Sequence, residues 1–515
     1  MKVSVKSIIF VIVCILCFAS FGYQREVWSA PKGKLVVALG GSLLTMDPHL
    51  VEQIYGDIVI TNVFDFLVKR LYKDGRIQYF PMLATSWEAI NETTWVFNLR
   101  KGVKFHNGED FNAEAVKYTI DRILDPATKA TKRHHLTIID RVDILDPYTV
   151  KIITKAPSPL IITNFAAILP IVAPKYYKEK GAAYVATHSM GTGPFKFVRW
   201  VEDEELVLEA NENYWDGPPN IRTLSFKSIP EDSTRAAALI GGDIDIAKDI
   251  PAHLIPMVNK SKKAKVISCP SAVCINIYLD TLTKGPLQDK RVRQALNYGV
   301  DKEAIIKHIL EGHGTPLGNP NITPFHFGYN PSLKPYPYNP EKSKALLKEA
   351  GYGDGLTLVL NTPSGRYVKD KEIAEAIAGQ LSKVGVKVEV RVHEWGNYTK
   401  LLYSTEGGGP MFMMGWAGTY DADGSLSKPL HCGKTLSLWC NQEFDSYLDK
   451  ARVTMDPKER EKIYHNALRL AHEEAPLIPL HYGVDTYGMS NRVQNWEPTP
   501  DVHKTLYMHK TLVKD

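Results

Sequence analysis

GTGPFKFVRWVEDEELVLEANENYWDGPPNIRTLSFKSIPEDSTRAAALIGGDIDIA, residues 191–247, is the stretch whose pattern is easiest to interpret as local structure. Gly191 and Gly193 allow the chain to turn tightly before Pro194. Apolar residues then recur at the period of two that half-buried antiparallel strands show, and these are Phe195, Phe197, Leu206 and Leu208. The pattern predicts a β-hairpin.

A short helix is predicted after the hairpin. Residues 233–240 are rich in alanine, and Gly241 with Gly242 ends the helix because glycine readily adopts the left-handed conformation found after helix C-termini. Asp243 and Asp245 begin another extended segment. Strands and helices mixed in this way indicate an α/β protein.

An earlier block has a similar mixture of elements. LATSWEAINETTWVFNLRKGVKFHNGEDFNAEAVKYTIDRI, residues 83–123, contains a strand whose Trp95, Phe97 and Leu99 share one face. Asn107-Gly108 then forms a turn, and an apolar stripe at helical spacing follows it.

Two later blocks complete a recognisable order. They are PLQDKRVRQALNYGVDKEAII, residues 286–306, and DPKEREKIYHNALRLAHEEAPLIPLHYG, residues 456–483. Together with residues 83–123 and 191–247, they resemble the family 5 extracellular solute-binding proteins, the peptide- and nickel-binding subunits of bacterial ABC importers. The resemblance implies an α/β, two-lobed periplasmic-binding-protein fold of type II, cluster C, with an extra domain inserted in the first lobe.

The resemblance also implies a division of the chain. Lobe I is expected at residues 31–65, 184–272 and 484–515, the extra domain II at 66–183, and lobe III at 273–483. The two crossings between lobes, near residues 271–276 and 481–485, are the expected hinges, because both connections must absorb the rotation of closure.

Size and charge are compatible with such a carrier. The 515 residues, 44% of them hydrophobic, exceed what one core usually holds, so at least two lobes are expected. The net charge is +5, and loss of Lys2 and Lys6 with a leader lowers it to +3. Without a long run of one sign, this balance excludes a nucleic-acid groove.

The first residues predict export. Two lysines precede the apolar run 8–21, which has the length and charge order of a cleavable secretory signal. The signal is expected at residues 1–22, with an end as late as residue 30, and the mature protein is expected in the periplasm or another extracytoplasmic space. Val13 and Leu16 precede Cys14 and Cys17 where lipidation needs a small residue, which disfavours a lipid anchor.

Transport would require other proteins. No later apolar run approaches the roughly twenty residues that span a bilayer, and Lys428 stands where a phosphate-binding loop ending in residues 433–435 needs its first glycine. The expected partners are therefore ABC permease membrane subunits with cytoplasmic ATPases. The chain is expected to act as a monomer without a cofactor.

MFMMGWAGTYDADGSL, residues 411–426, resembles the cleft strand of the family. In peptide-binding relatives the backbone around the matching tryptophan pairs with the peptide, and an aspartate three positions later receives the ligand ammonium. Thr419 occupies that position here, so Asp421 or Asp423 is the expected substitute. The ligand-binding candidates in this segment are Trp416, Ala417, Gly418, Thr419, Tyr420, Asp421 and Asp423.

Other candidates come from separate motifs. Arg366 matches an arginine that clamps the ligand carboxylate in dipeptide-binding relatives, and a guanidinium fork suits a carboxylate. GGSLLTMDPHL, residues 40–50, resembles the opposite cleft wall, where Thr45 and Met46 are backbone candidates. A short peptide is the expected ligand.

A metal ligand is the alternative. Tyr420 four residues after the cleft tryptophan, and Arg133 before His134, resemble cleft positions of nickel-binding relatives. Arg133 could neutralise an anionic metal chelate, and His431 or His134 would supply an imidazole. A third, remote alternative is a secreted hydrolase, but the chain contains neither His-Glu-x-x-His nor Gly-x-Ser-x-Gly, so no enzyme is expected.

Four cysteines remain after the leader. A pair also occurs in the matching loop of the dipeptide-binding branch, so the resemblance implies a Cys432–Cys440 disulfide. Cys269 and Cys274 would lie about 16 Å apart in a fully extended chain, beyond the roughly 7 Å bridging limit. Either Pro270 turns the chain and lets them pair, or both are buried free thiols.

Overall fold

The computed structural model describes residues 30–51, 53–404, 408–501 and 503–514. The predicted signal peptide lies outside these ranges. No helix among them combines the length and apolar character needed to cross a bilayer.

The described strands, numbered in chain order, form one large sheet and three small ones. They are β1 Lys32–Leu39, β2 Val68–Lys73, β3 Arg76–Pro81, β4 Ala84–Asn91, β5 Thr94–Leu99, β6 Ile139–Asp146, β7 Thr149–Thr154, β8 Phe195–Val201, β9 Glu205–Ala210, β10 Ile221–Ser228, β11 Ile246–Lys248, β12 Ala264–Leu279, β13 Gly314–Pro316, β14 Leu356–Pro363, β15 Val386–His393, β16 Met411–Trp416, β17 Leu477–Ser490, β18 Val493–Gln494 and β19 Leu512–Val513.

The α-helices lie between these strands along the chain and confirm the predicted mixed α/β class. They are α1 Ile54–Val63, α2 Ala113–Leu124, α3 Ile161–Ile168, α4 Pro174–Val185, α5 Asp232–Gly241, α6 Ile255–Lys260, α7 Lys290–Gly299, α8 Lys302–His308, α9 Pro340–Glu349, α10 Asp370–Ser382, α11 Trp395–Leu402, α12 Ala422–Leu430, α13 Gln442–Val453 and α14 Pro457–Glu474.

The large sheet has the strand order β15-β14-β16-β12-β17-β11-β1-β10-β9-β8, and β13 also pairs with β17. Its two long central strands, β12 and β17, are antiparallel along most of their length. Cys269 lies opposite Asp485 and Cys274 opposite Tyr482, and the register is interrupted between Pro270 and Cys274. These two strands connect the half of the sheet built on β1 to the half built on β14 and β16.

A separate four-stranded sheet, β4-β5-β7-β6, packs against α2. The core around it is continuous in sequence, because all of its fully buried members lie between residues 67 and 173. Asn112 caps α2 by accepting the backbone N–H groups of Glu114 and Ala115. The remaining large cores follow the two halves of the main sheet.

The predicted hairpin and helix of residues 191–247 are confirmed as β8, β9 and α5. The two glycines before Pro194 have a different role from the predicted one. Neither is in the left-handed region, but a Cβ on Gly191 would lie 2.2 Å from the carbonyl oxygen of Val63, and one on Gly193 2.6 Å from its carbonyl carbon. They are needed because two backbones approach closely.

Of the four described cysteines, two form a disulfide bond and two are free. Cys432 and Cys440 form a disulfide bond with Cα atoms 4.6 Å apart. Cys269 and Cys274 are both buried and free, so the possible second bridge is absent. Both lie in strand β12, and an extended backbone separates residues five positions apart by more than the roughly 7 Å that a disulfide bridges.

Lys302 at the start of α8 is buried without an ion pair among the described residues, and its ammonium lies 5.7 Å from the ring centre of Tyr336. Its side chain is 5% exposed, and its ammonium has no hydrogen-bond partner among the described residues. Burial lowers its pKa from 10.5 to about 7. Below pH 7 the folded and unfolded chains both carry the charge, and the folded chain bears the full cost of desolvating it.

We therefore expect Lys302→Met to raise the free energy of unfolding by about 2–4 kcal/mol below pH 7. As the pH rises from 7 towards 10.5, the folded wild-type protein is neutral here while its unfolded chain still binds the proton, so the gain should shrink. Urea unfolding at pH 6 and pH 9 measures both values. Lys307→Met, an exposed change on the same helix, should alter neither.

Candidate functional site

The predicted cleft segment begins in β16, between β12 and β14. Gly415 lies directly against the ring of Tyr367, where a Cβ would be only 2.6 Å from a ring carbon. The next residue, Trp416, is half-buried, and its indole N–H donates to the carbonyl oxygen of Gly424 at 3.0 Å. The tryptophan is thus held by α12 and keeps part of its surface exposed.

Arg366 lies close to this strand. Its exposed guanidinium is 4.9 Å from the ring centre of Trp395 and 5.5 Å from that of Tyr367. Within the described ranges it forms no salt bridge, whereas its backbone N–H is anchored on the Asp370 carboxylate at 2.9 Å. Tyr367 therefore brings Arg366 beside Gly415 and leaves its charge free for a ligand.

The loop after β16 is fixed by contacts within the protein. The carbonyl oxygen of Ala417 lies 2.9 Å from Nε2 of His326, and Gly418 has a left-handed φ of 57°. Thr419 is half-buried, and its hydroxyl lies against Gly424. These three residues leave little side-chain chemistry for a ligand except the Thr419 hydroxyl.

Tyr420 is part of a contact between distant segments. It is 1% exposed, its hydroxyl donates to the carbonyl oxygen of Pro500 at 2.8 Å, and the Arg70 guanidinium lies 4.6 Å from its ring centre. Its side chain is thus buried in the protein, in contrast to the predicted role as a ligand contact.

Neither predicted acid is available for an ammonium group. Asp421 is buried and forms two hydrogen bonds with Arg460, at 2.6 and 2.8 Å, while also capping α12. Asp423 accepts from Nε of Arg452 at 2.7 Å and from the Ser427 hydroxyl at 2.8 Å. Both carboxylates hold the loop and helix together, so the expected substitution for the family aspartate is not supported by their contacts.

Residues 40–50, which are predicted to form the opposite wall of the cleft, follow β1. Met46 is buried, and its backbone N–H donates to the carbonyl oxygen of Ala186 at 2.7 Å, so only its carbonyl remains for a ligand. Thr45 is half-buried, and its hydroxyl accepts from the Asp47 N–H. Leu44 beside them is 71% exposed and presents an apolar surface.

Arg133 and His134 lie on a short 3-10 turn, Arg133–His135. Nε of Arg133 donates to the carbonyl oxygen of Leu124 at 2.7 Å. Burial and the positive charge of Lys428 lower the pKa of His134, so the turn lies near α12. Lys428 Nζ is in turn 5.7 Å from the Trp416 ring centre. Positive charge concentrated near this tryptophan favours an anionic group.

His431 is engaged by protein groups. Its Nδ1 lies 3.0 Å from the carbonyl oxygen of Cys432, and its Nε2 lies 3.3 Å from an oxygen of Asp449. The one three-residue group found at metal-ligand spacing in the described part of the chain is Cys432, Cys440 and Asp445. Its two sulfurs form the disulfide and cannot act as thiolates, so these donors do not fit a nickel ion.

A pair of acids in the β1 half of the sheet is not predicted from the sequence. Asp249 follows β11, accepts from Lys248 Nζ at 2.5 Å, and lies 3.5 Å from the Tyr55 hydroxyl. Tyr55 packs over Gly41, in the loop that leads to Thr45.

Asp485 is the second acid, and it lies on β17 where the two halves of the sheet meet. Its Oδ2 is buried and accepts no hydrogen bond from any described residue. Burial raises the pKa of its carboxyl, and Lys248 opposes that rise. An acid within the mostly apolar strand of residues 477–490 is the signal that could have identified it, because a buried charge needs a partner.

Comparison with known proteins agrees with the predicted family. The model for the middle region of the bacterial extracellular solute-binding proteins, family 5, matches residues 78–436. The glutathione-binding protein GsiB of Escherichia coli O1:K1 / APEC is 30% identical over 465 residues, which cover 87% of this chain and 88% of the relative.

Solved structures confirm the periplasmic-binding-protein fold. HbpA2 from Haemophilus parasuis has a TM-score of 0.83 at 27% identity, covering 94% of this chain and 100% of its own. The ABC transporter-associated periplasmic binding protein DppA from Helicobacter pylori, solved with the peptide STSA, has a TM-score of 0.77 at 29% identity, covering 94% and 98%. The chain therefore belongs to the bacterial extracellular solute-binding proteins of family 5.

Proposed function

We propose that this solute-binding protein captures a short peptide and delivers it unmodified to an ABC permease. The observation that carries the proposal is Arg366, an exposed guanidinium without a carboxylate partner among the described residues, held beside the cleft strand. A peptide C-terminus supplies the planar carboxylate that such a group binds best. Relatives described as binding glutathione and the peptide STSA support the same ligand class.

The proposed division of the chain is the predicted one. Lobe I comprises residues 31–65, 184–272 and 484–515, extra domain II comprises 66–183, and lobe III comprises 273–483. Separate hydrophobic cores support it, since the core of residues 67–173 has its own four-stranded sheet. The register interruption between Pro270 and Cys274 supports a hinge in β12.

The permease would bind the form of the protein in which lobes I and III have closed around the peptide. A peptide that contacts both lobes binds the closed form better, and this difference in affinity shifts the population towards that form. Arg366 on lobe III would hold one end of the peptide. The N-terminal ammonium of the peptide then needs an acid on lobe I. In lobe III, Thr419 carries no charge, and Asp421 and Asp423 are paired with arginines.

Asp485 is the proposed acceptor of the peptide ammonium, with Asp249 beside it. Its unpaired Oδ2 would gain a charged partner, and the ammonium would offset the cost of burying the carboxylate. This pairing would place the two charged ends of the ligand on different lobes.

We expect Asp485→Asn to weaken binding of a peptide with a free N-terminus about 10-fold to 100-fold. The empty protein should become more stable at pH 7 by about 1 kcal/mol, because a carboxyl with a raised pKa destabilises the fold once it is ionised. Titration calorimetry and urea unfolding measure the two effects.

N-acetylation of the peptide should weaken binding to wild type but not to Asp485→Asn. Asp243→Asn, an exposed change in the same proposed lobe, serves as the control. If acetylation lowers peptide affinity equally in wild type and in Asp485→Asn, the peptide ammonium binds to a residue other than Asp485.

The proposal also covers the oligomeric state of the protein, its location, its need for a cofactor and the fate of its ligand. The mature chain would work as a monomer outside the cytoplasmic membrane after removal of residues 1–22, would need no cofactor, and would depend on ATPases bound to the permease. It would also leave its ligand intact. Incubation with glutathione and with Ser-Thr-Ser-Ala, followed by mass spectrometry of the released ligand, should return both unchanged, and calorimetry should detect saturable binding of at least one.

A further inference from the structure

A cavity of about 220 Å³ lies between β2 and the segment that follows β18. None of the residues predicted to bind the peptide lines it. Its walls combine aromatic and apolar side chains with two lysines, and the residues that matter here are Phe66, Lys69, Met82, Trp496, Lys504 and Tyr507.

Both lysines lack a salt bridge to any residue that the structure describes. Lys504 Nζ donates to the carbonyl oxygen of Ala166 at 2.7 Å and lies 4.1 Å from the ring centre of Phe66. Lys69 Nζ lies 5.1 Å from the ring centre of Tyr507. Burial lowers the pKa of both, that of Lys504 to about 7. Two largely desolvated lysines thus adjoin one cavity.

Carboxylates lie near both lysines but form no salt bridge with either one in the described ranges. Asp216 and Asp65 raise the pKa of Lys69, and Asp501 and Asp57 raise that of Lys504, although burial outweighs them in both cases. Arg70 and Asp501 also line it, but they are buried and paired with each other at 2.7 Å. Glu497 lines the cavity from an exposed position and forms no salt bridge within the described ranges. Because none of these carboxylates pairs directly with Lys69 or Lys504, both ammonium groups can bind a carboxylate that enters the cavity.

We infer that this cavity is a second binding site, separate from the peptide site, for a small organic carboxylate with an apolar body. The carboxylate would lie between Lys69 and Lys504, and the apolar part would pack against Trp496, Tyr507 and Met82. An inorganic anion would satisfy the lysines but leave the aromatic walls without a partner. An apolar ligand would leave both ammonium groups without a carboxylate partner.

Soaking crystals of the full mature protein with 4-bromobenzoate tests the inference, because anomalous scattering locates the bromine. We expect bromine in this cavity, beside Trp496 and Tyr507. Titration calorimetry should show that Lys69→Met and Lys504→Met each weaken 4-bromobenzoate binding about tenfold or more, while Lys458→Met, an exposed control on α14, does not. Peptide affinity should be unchanged in all three variants.

Three results would overturn the inference. They are bromine bound only in the cleft between proposed lobes I and III, inorganic phosphate binding more tightly than 4-bromobenzoate, and no binding of 4-bromobenzoate at millimolar concentration. Circular dichroism and urea unfolding establish whether each variant is folded, and Lys69→Gln provides a second neutral variant if Lys69→Met does not fold. Because peptide affinity is measured on the same samples, failure of this site and failure of the peptide proposal give different outcomes.

Discussion

Replacement of Arg366 by Met is expected to weaken binding of a short peptide about 30-fold to 100-fold, since a charged hydrogen-bonded pair contributes about 2–3 kcal/mol. The guanidinium is already positioned by Trp395 and Tyr367 and has no carboxylate to release among the described residues. The loss should therefore be seen as reduced affinity without a change in the free energy of unfolding. Titration calorimetry and urea unfolding of the same samples measure both.

A peptide whose C-terminus is amidated identifies the group that Arg366 binds. Wild type should bind the amide more weakly than the acid by the same 30-fold to 100-fold, whereas Arg366→Met should bind both alike. Arg391→Met, at an exposed arginine of β15 in the same proposed lobe, is the matched control. If amidation weakens binding equally in wild type and Arg366→Met, the carboxylate is held by another residue.

Replacement of Arg460 by Met is expected to lower the free energy of unfolding by about 3–5 kcal/mol. Arg460 is 5% exposed, and its removal would leave the buried Asp421 carboxylate without its ion-pair partner. Because Asp421 also caps α12 directly after the cleft loop, peptide affinity should fall as well. Urea unfolding measures the first effect.

Two further variants separate the ion pair from general damage to α14. Asp421→Asn combined with Arg460→Met should recover part of the loss, because asparagine still caps the helix and no unpaired charge remains. Arg469→Met, at an exposed arginine on the same helix, should change stability by less than about 0.5 kcal/mol. A loss below about 1 kcal/mol in Arg460→Met would contradict the role given to this pair.

Local elements are predicted well from sequence because their signals are local. Asn339 and Asp456 each precede a proline, a pattern typical of a helix start, and each side chain accepts the N–H three residues later, those of Lys342 and Glu459. The alternation at residues 195–208 produced β8 and β9 for the same reason. Propensity and capping depend on neighbours within a few residues, which the sequence shows directly.

The chemistry of the site is predicted less well because it depends on distant partners. Asp421 and Arg460 are 39 residues apart, and no periodicity links them. Without that pairing, Asp421 resembles a free acid in a loop. Asp485 lies within a strand, where the strand pattern gives no sign of a binding role, yet its Oδ2 is buried and has no hydrogen-bond partner among the described residues. Burial and pairing, which follow from tertiary structure, decide which carboxylate is available.

Native mass spectrometry of the protein as purified, with metal analysis of the same sample, tests the central claim most directly. Capture of a short peptide predicts an added mass that denaturation releases as a peptide, and no stoichiometric metal. After removal of that ligand, added glutathione or tetrapeptide should restore a one-to-one complex. Stoichiometric nickel that disappears in His431→Ala, together with no binding of any peptide offered, would contradict the account.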